Sequence, residues 1–331
     1  VNDYVEVFSR YGRHLRGLDL KLLTGLSRGE KVRVIGPLVY QKRLLYFLDL
    51  STGSPTGTFK DWLACFCIAQ CLQDGVAEIV TQTSGNTGNA LAFYSGLAGV
   101  KVHAIFPSGN RYKIQPRVVE SNVRCRFLEF EGAEPDQKVL VKDLAERLGL
   151  SWFPTLEQQI EANKLRAYFL ADWCSQTGVR FDWHCQALSS AFGVFGFYHG
   201  LDELGALPGP RFLGVQQEFR APYAGVAPDL AKPMSEPTLF RSEPSPQLLA
   251  RMQRILASTG GRVEVFSWNK SLEDVGRAAR IYREVGLEIK RSRVIDDYHE
   301  KSPLMTLAKV LEGIRRGWIE EGNSVLVAVT G

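Results

Sequence analysis

"SPTGTFKDW" (54–62) is the stretch on which the fold turns. It follows good strand formers, "LLYFLDL" (44–50), and a turn-prone "STGSPTG" (51–57). It precedes an apolar run, "WLACFCIAQCL" (62–72), so Lys60 sits behind a Pro/Gly turn where a helical pattern begins. A strand, a tight turn and a helix in that order is the repeating unit of an α/β sheet. Such sheets carry their chemistry at the carboxyl ends of their strands, which is where Lys60 falls. Taken alone, the same lysine also reads as an ordinary solvated residue at a helix start.

Working outward, strand patterns recur at 77–83, 101–107, 124–130, 182–188, 211–217 and 324–330. Helical patterns lie at 61–73, 87–98, 135–148, 158–176, 193–204, 271–285 and 303–317. The alternation predicts an α/β protein with mostly parallel sheets covered by helices. Two stretches are less regular: 1–35, with scattered Arg10, Arg13 and Arg16, and the Pro- and Ser-rich 220–247, read as a long loop or insertion. No internal repeat or low-complexity tract is visible.

The 331 residues suffice for two lobes with a sizeable core. A net charge of +4 on this length gives no argument for nucleic acid or a membrane surface. No apolar run reaches membrane-span length, and no signal-peptide pattern is seen. The six cysteines (Cys65, Cys67, Cys71, Cys125, Cys174 and Cys185) form no CxxC pair and read as buried apolar thiols, with no metal site expected. Together these features predict a reducing, cytoplasmic setting.

Three further stretches carry chemical potential. In "TQTSGNTGNALA" (81–92) a strand ends, a Gly/Asn/Ser/Thr turn follows, and a small-residue helix starts. Such a corner aims N–H groups, hydroxyls and the positive end of a helix dipole at an anion, although Ser, Thr and Asn are also ordinary helix caps. "CQALSSAFGVFGFYHG" (185–200) repeats the pattern, with Ser189, Ser190, Ala191, Phe192 and Gly193 at the turn. It is neither GxGxxG nor a Walker A loop, and it also reads as a plain strand–helix corner. Finally, "VLVAVTG" (325–331) delivers Thr330 and Gly331 at a strand end.

In combination the motifs resemble a known family. "PTGTFKD" (55–61) is similar to the lysine motif of the fold-type II pyridoxal-phosphate enzymes, the tryptophan synthase β-subunit family, which includes threonine synthase, cysteine synthase and the serine/threonine dehydratases. "TSGNTG" (83–88) resembles their asparagine loop and matches its cysteine synthase form letter for letter. "KIQPR" (113–117), "IEANK" (160–164), "LGVQ" (213–216) and the terminal "TG" also find counterparts, so the likeness spans 36–331.

The resemblance implies a two-lobed fold with pyridoxal 5'-phosphate between the lobes. Residues 1–64 and 165–331 would form the large cofactor-binding domain, and 65–164 a small mobile domain carrying the asparagine loop. Lys60 would form the Schiff base and Asn86 would hydrogen-bond the phenolic oxygen. Thr83, Ser84, Gly85 and Thr87 would hold the substrate carboxylate, and residues 189–193 the cofactor phosphate. Thr330 would meet the pyridine nitrogen as a neutral partner, making the ring a milder electron sink suited to elimination. Lys113 and Gln159 fall at family positions near the distal end of the substrate. The implied partner is a small amino acid, with no nucleic acid and no membrane, in a homodimer.

The sequence also departs from the family. Phe192 stands where a glycine is usual, Trp62 replaces the arginine after Lys-Asp, and "EKSP" (300–303) replaces an EPAS-like motif. Gln159 falls where threonine synthases have an arginine that contacts the substrate phosphate. The expected reaction is a β- or γ-elimination or replacement on an activated amino acid, in a specialised pathway. The alternative is a diverged cofactor-binding protein with little catalysis and a regulatory or partner-binding role. A nicotinamide-dependent Rossmann enzyme lacks its glycine fingerprint and ribose-binding acid here.

Overall fold

A computed structural model describes residues 2–15, 17–132, 134–239 and 244–330. Arg16, Gly331 and 240–243 of the irregular stretch lie outside the described residues. Two sheets organise the chain. The larger has the order β1 (Asn2–Asp3), β2 (Lys31–Tyr40), β3 (Arg43–Asp49), β11 (Ser324–Val329), β8 (Trp183–Ala187), β9 (Arg211–Gln217) and β10 (Arg262–Phe266). From β3 to β10 every pairing is parallel; β1–β2 and β2–β3 are antiparallel. The smaller sheet, β6 (Cys125–Phe130), β5 (Lys101–Pro107), β4 (Glu78–Gln82) and β7 (Ser151–Trp152), is parallel throughout.

Helices α1 (Tyr4–Tyr11), α2 (Leu20–Leu26), α3 (Lys60–Gln73), α4 (Asn86–Ala98), α5 (Pro116–Ser121) and α6 (Glu134–Leu148) precede the long α7 (Leu156–Thr177). They are followed by α8 (Phe192–Glu203), α9 (Pro246–Thr259), α10 (Leu272–Glu284) and α11 (Ser302–Arg315). Helix α3 is apolar nearly all round and is buried from Asp61 to Ala69, as an all-round apolar helix must be. Its thiols Cys65, Cys67 and Cys71 are therefore packing groups. Helix α7 opens with a capping box: the Thr155 hydroxyl accepts from the Gln158 N–H while the Gln158 side chain accepts from the Thr155 N–H.

Helices α7 and α8 approach backbone to backbone because α8 offers glycines. A Cβ on Gly196 would lie 2.4 Å from the Ile160 carbonyl oxygen, and one on Gly200 would lie 2.9 Å from that of Lys164. This packing brings the start of α8 against the middle of α7.

The predicted strands 101–107 and 211–217 coincide with β5 and β9. Residues 1–35, read as irregular, contain α1, α2 and the start of β2. Strand β2 escaped notice because Gly36-Pro37 reads as a turn; it lies where the register shifts between Ile35 and Leu38, which lets a strand hold a proline. Helix α9 starts at Pro246, inside the stretch read as an insertion. Among the described residues, no helix is long and apolar enough to cross a membrane.

Candidate active site

Four chain segments leave the carboxyl ends of parallel strands and open into one pocket. They are the Lys60 turn after β3, the 83–88 corner after β4, the 189–193 corner after β8, and Thr330 after β11. The Phe59 N–H donates to the Thr330 carbonyl (3.1 Å), tying the lysine turn to the end of β11.

Lys60 is the first residue of α3. The buried Asp61 carboxylate behind it accepts from the Thr56 N–H (2.9 Å) and hydroxyl (2.9 Å), which fixes the turn. Burial raises Asp61 to about 7. The Lys60 amine is lowered to about 8, first by desolvation and then by the positive charge of Arg166. Lys60 Nζ and Arg166 Cζ lie 4.4 and 4.3 Å from the centre of the same Phe59 ring.

At 83–88 one hydroxyl builds the corner. Thr83 Oγ1 accepts from the Gly85 N–H (3.0 Å) and from the Gly88 N–H (2.9 Å). Gly85, at φ +132°, is poorly suited to a side chain, because a Cβ would lie 2.6 Å from that of Lys113. The segment around Lys113 cradles the corner: Asn110 donates to the Ser84 carbonyl (2.9 Å), and Asn89 donates to the Lys113 carbonyl (2.8 Å). The Asn86 and Thr87 N–H groups and the Ser84 and Thr87 hydroxyls have no protein partner among the described residues.

At 189–193, Ala191 caps α8 in the left-handed conformation, at φ +63°, with no side-chain cap. The Tyr223 hydroxyl donates to the Ser190 carbonyl (3.2 Å). The N–H groups of Ser189, Ser190, Ala191 and Gly193, and both serine hydroxyls, have no protein partner among the described residues. Thr330 is 6% exposed, and its hydroxyl is likewise without a protein partner there.

Of the predicted site residues, Lys60, Thr83, Ser84, Asn86, Thr87, Gln159, Ser189, Ser190, Ala191, Phe192, Gly193 and Thr330 all line the pocket. Gly85 lies at the corner without lining it. Lys113 is apart from the lining: it is fully buried, with Nζ 3.0 Å from Glu300, 3.2 Å from Glu236, and donating to the His299 carbonyl. Its ammonium is paired with two carboxylates, of which Glu300 lines the pocket.

Sequence reasoning missed Glu300 as a site residue. It lines the pocket, accepts from Asn86 Nδ2 (2.9 Å) and leaves its second oxygen without a hydrogen-bond partner among the described residues. Burial, then repulsion from Glu236, raises it to about 7, while Lys113 opposes the shift. Gln82, Trp152, Phe153 and Gln186 were also missed. Glu300 lies in "EKSP", Gln82 in the 81–92 stretch and Gln186 in the 185–200 stretch, but none was singled out there, and Trp152 and Phe153 carry no local signal.

Comparison with known proteins gives the same direction. The family described as "Pyridoxal-phosphate dependent enzyme" matches residues 35–286. A threonine synthase of Mycobacterium tuberculosis (strain H37Rv) is 25% identical over 334 residues, covering 95% of this chain and 84% of that enzyme. Among solved structures, an O-acetylserine dependent cystathionine β-synthase from Helicobacter pylori aligns with a TM-score of 0.69 at 18% identity, covering 93% of this chain and 94% of that one. A pyridoxal 5'-phosphate-dependent aspartate racemase aligns with a TM-score of 0.69 at 17% identity, over 98% and 94% of the two chains. With its matching region spanning most of the chain, this protein belongs to the pyridoxal-phosphate dependent enzyme family.

Proposed function

We propose that this enzyme catalyses β- or γ-elimination or replacement on an amino acid whose leaving group is not a phosphate. The residues of the pocket fit the cofactor. A desolvated amine, two corners with N–H donors unpartnered among the described residues and a buried hydroxyl likewise unpartnered there are what an aldehyde, two anions and a ring nitrogen require. Lys60 would hold the cofactor carbon, 189–193 its phosphate, Asn86 its phenolic oxygen and Thr330 its ring nitrogen. Bound there, pyridoxal phosphate supplies the electron sink for a carbanion at the amino-bearing carbon.

The chain's own groups do the rest. The free N–H groups at the start of α4 and the Ser84 and Thr87 hydroxyls would orient the substrate carboxylate. Lys60 Nζ, lowered to about 8, is able to take the Cα proton and return a proton to the departing side. Asn86 keeps a second N–H for the cofactor after donating one to Glu300.

The composition of the pocket wall is the observation that carries the choice of leaving group. Among the described residues lining it, Lys60 is the one cation, and Gln82, Gln159, Gln186, Trp152 and Phe153 are neutral. A phosphate dianion on the substrate would lack its charge-assisted partner, worth roughly 1.5–3 kcal/mol. The replacement chemistry draws support from the threonine synthases among the relatives, and the acyl leaving group from the O-acetylserine dependent enzyme among the structural neighbours. The test is kcat/KM over O-acetyl, O-carbamoyl and O-phospho derivatives of serine and homoserine. Acyl derivatives should lead; efficient threonine formation from O-phosphohomoserine would contradict the proposal.

A further inference from the structure

The 189–193 corner offers neutral donors, yet a cation stands directly behind it. A Cβ on Gly193 would lie 2.8 and 2.9 Å from Nη2 and Nη1 of Arg166 and 3.2 Å from its Cζ. Gly193 is not in the left-handed region, so torsion does not demand a glycine there. The guanidinium does, by occupying the space of a side chain.

Arg166 is 2% exposed and held on three sides. Nη2 donates to Asn163 Oδ1 (2.6 Å), Nη1 donates to Gln186 Oε1 (3.1 Å), and the group stacks over Phe59. Gln186, Phe59 and Gly193 are themselves pocket walls, so the charge lies one layer behind the lining. Its charge reaches the pocket, since it contributes to lowering Lys60. Two cations sharing one aromatic ring repel each other, and an anion between them and the start of α8 relieves that repulsion.

We propose that Arg166 is the buried counter-charge of the cofactor phosphate, acting from behind Gly193 and adding a positive charge to the neutral N–H and hydroxyl donors of 189–193. The assignment rests on the cofactor phosphate lying at 189–193. Its fork is fixed by Asn163 and Gln186, a geometry a lysine ammonium cannot reproduce. The glycine at 193 and the arginine at 166 are therefore one device, contributed by α8 and α7 where their backbones come close.

The test compares pyridoxal phosphate with pyridoxal, which lacks the phosphate. The full-length apoprotein is titrated with each by absorbance, as wild type, Arg166→Met, Arg166→Lys and Gly193→Ala. Because both ligands react with the same Lys60 amine, changes in its reactivity cancel in the ratio of the two dissociation constants. Arg166→Met should cut the preference for the phosphorylated ligand about ten- to hundredfold. Arg166→Lys should keep part of it, and Gly193→Ala should lower it by displacing the guanidinium. Near-UV circular dichroism checks the fold, and if Arg166→Met does not fold the ratio is read from the other two variants. Equal losses for both ligands would overturn the Arg166 assignment alone. A wild-type protein with no preference for the phosphorylated ligand would overturn the placement of the phosphate as well.

Discussion

Two strand-to-helix corners open into the pocket, 83–88 after β4 and 189–193 after β8, and they are built on different principles. The first is determined locally and then locked. Thr83 takes two of its N–H groups, Gly85 supplies a conformation open to glycine, and Asn110 and Asn89 bind it to the segment around Lys113. The second is strained and supported from a distance. Alanine adopts the left-handed conformation at its cap, a bulky Phe192 follows, and its neighbour in space is a guanidinium from α7. Donor geometry at a binding corner can thus be secured by sequence-local turn chemistry or by a helix packed behind it. The second way leaves little trace in the local sequence.

The sharpest break in this contrast should come at Lys113. Lys113→Met leaves Glu236 and Glu300 buried without their cation and should cost about 3–5 kcal/mol in urea unfolding. The loss should shrink as pH falls, because Glu300, already raised to about 7 beside Lys113, is raised further without that cation and takes up a proton. A variant of wild-type stability would mean that the first corner is not locked through this lysine.

Next in size is Gly85→Ala. A methyl 2.6 Å from the Lys113 Cβ, on a backbone at φ +132°, should cost roughly 2–4 kcal/mol and distort the corner. Thermal unfolding measures it; a loss below about 1 kcal/mol would show that the corner yields easily.

The pH response of Lys60 links the corners. With the folded amine at about 8 against 10.5 for the free group, the unfolded chain holds more protons between those values. Lys60 therefore detracts from apoprotein stability below pH 8, and the deficit is removed as pH rises through that window. In the apoprotein, labelling of this amine should show a midpoint near pH 8, and Arg166→Met should move it upward. An unmoved midpoint would remove Arg166 from the electrostatics of the pocket.

The smallest effect has the opposite sign. Ala191→Gly relieves a left-handed alanine and should stabilise the protein by about 0.5–1 kcal/mol, readable as a small rise in Tm. A destabilised variant would show that the second corner is not strained.

Much of the molecule was legible because its signals are local. The turn before Lys60, the small residues of 83–88 and the alternation of strand and helix patterns all report short-range torsional and burial preferences. Strand β2 was lost because Gly36-Pro37 reads as a turn where an edge-side register shift accommodates it. The fate of Lys113 was illegible for a different reason: its two carboxylates come from 236 and 300, far along the chain. Arg166 is equally non-local, since its meaning depends on the angle at which α7 crosses α8.

The central claim is that Lys60 holds pyridoxal phosphate in this pocket. Borohydride reduction of the wild-type enzyme loaded with cofactor, followed by peptide mass mapping, tests it most directly. The account predicts the phosphopyridoxyl mass on the peptide containing Lys60, and its loss, with the visible absorbance, in a folded Lys60→Ala protein. The same mass on another lysine, or a reducible chromophore surviving in Lys60→Ala, would contradict it.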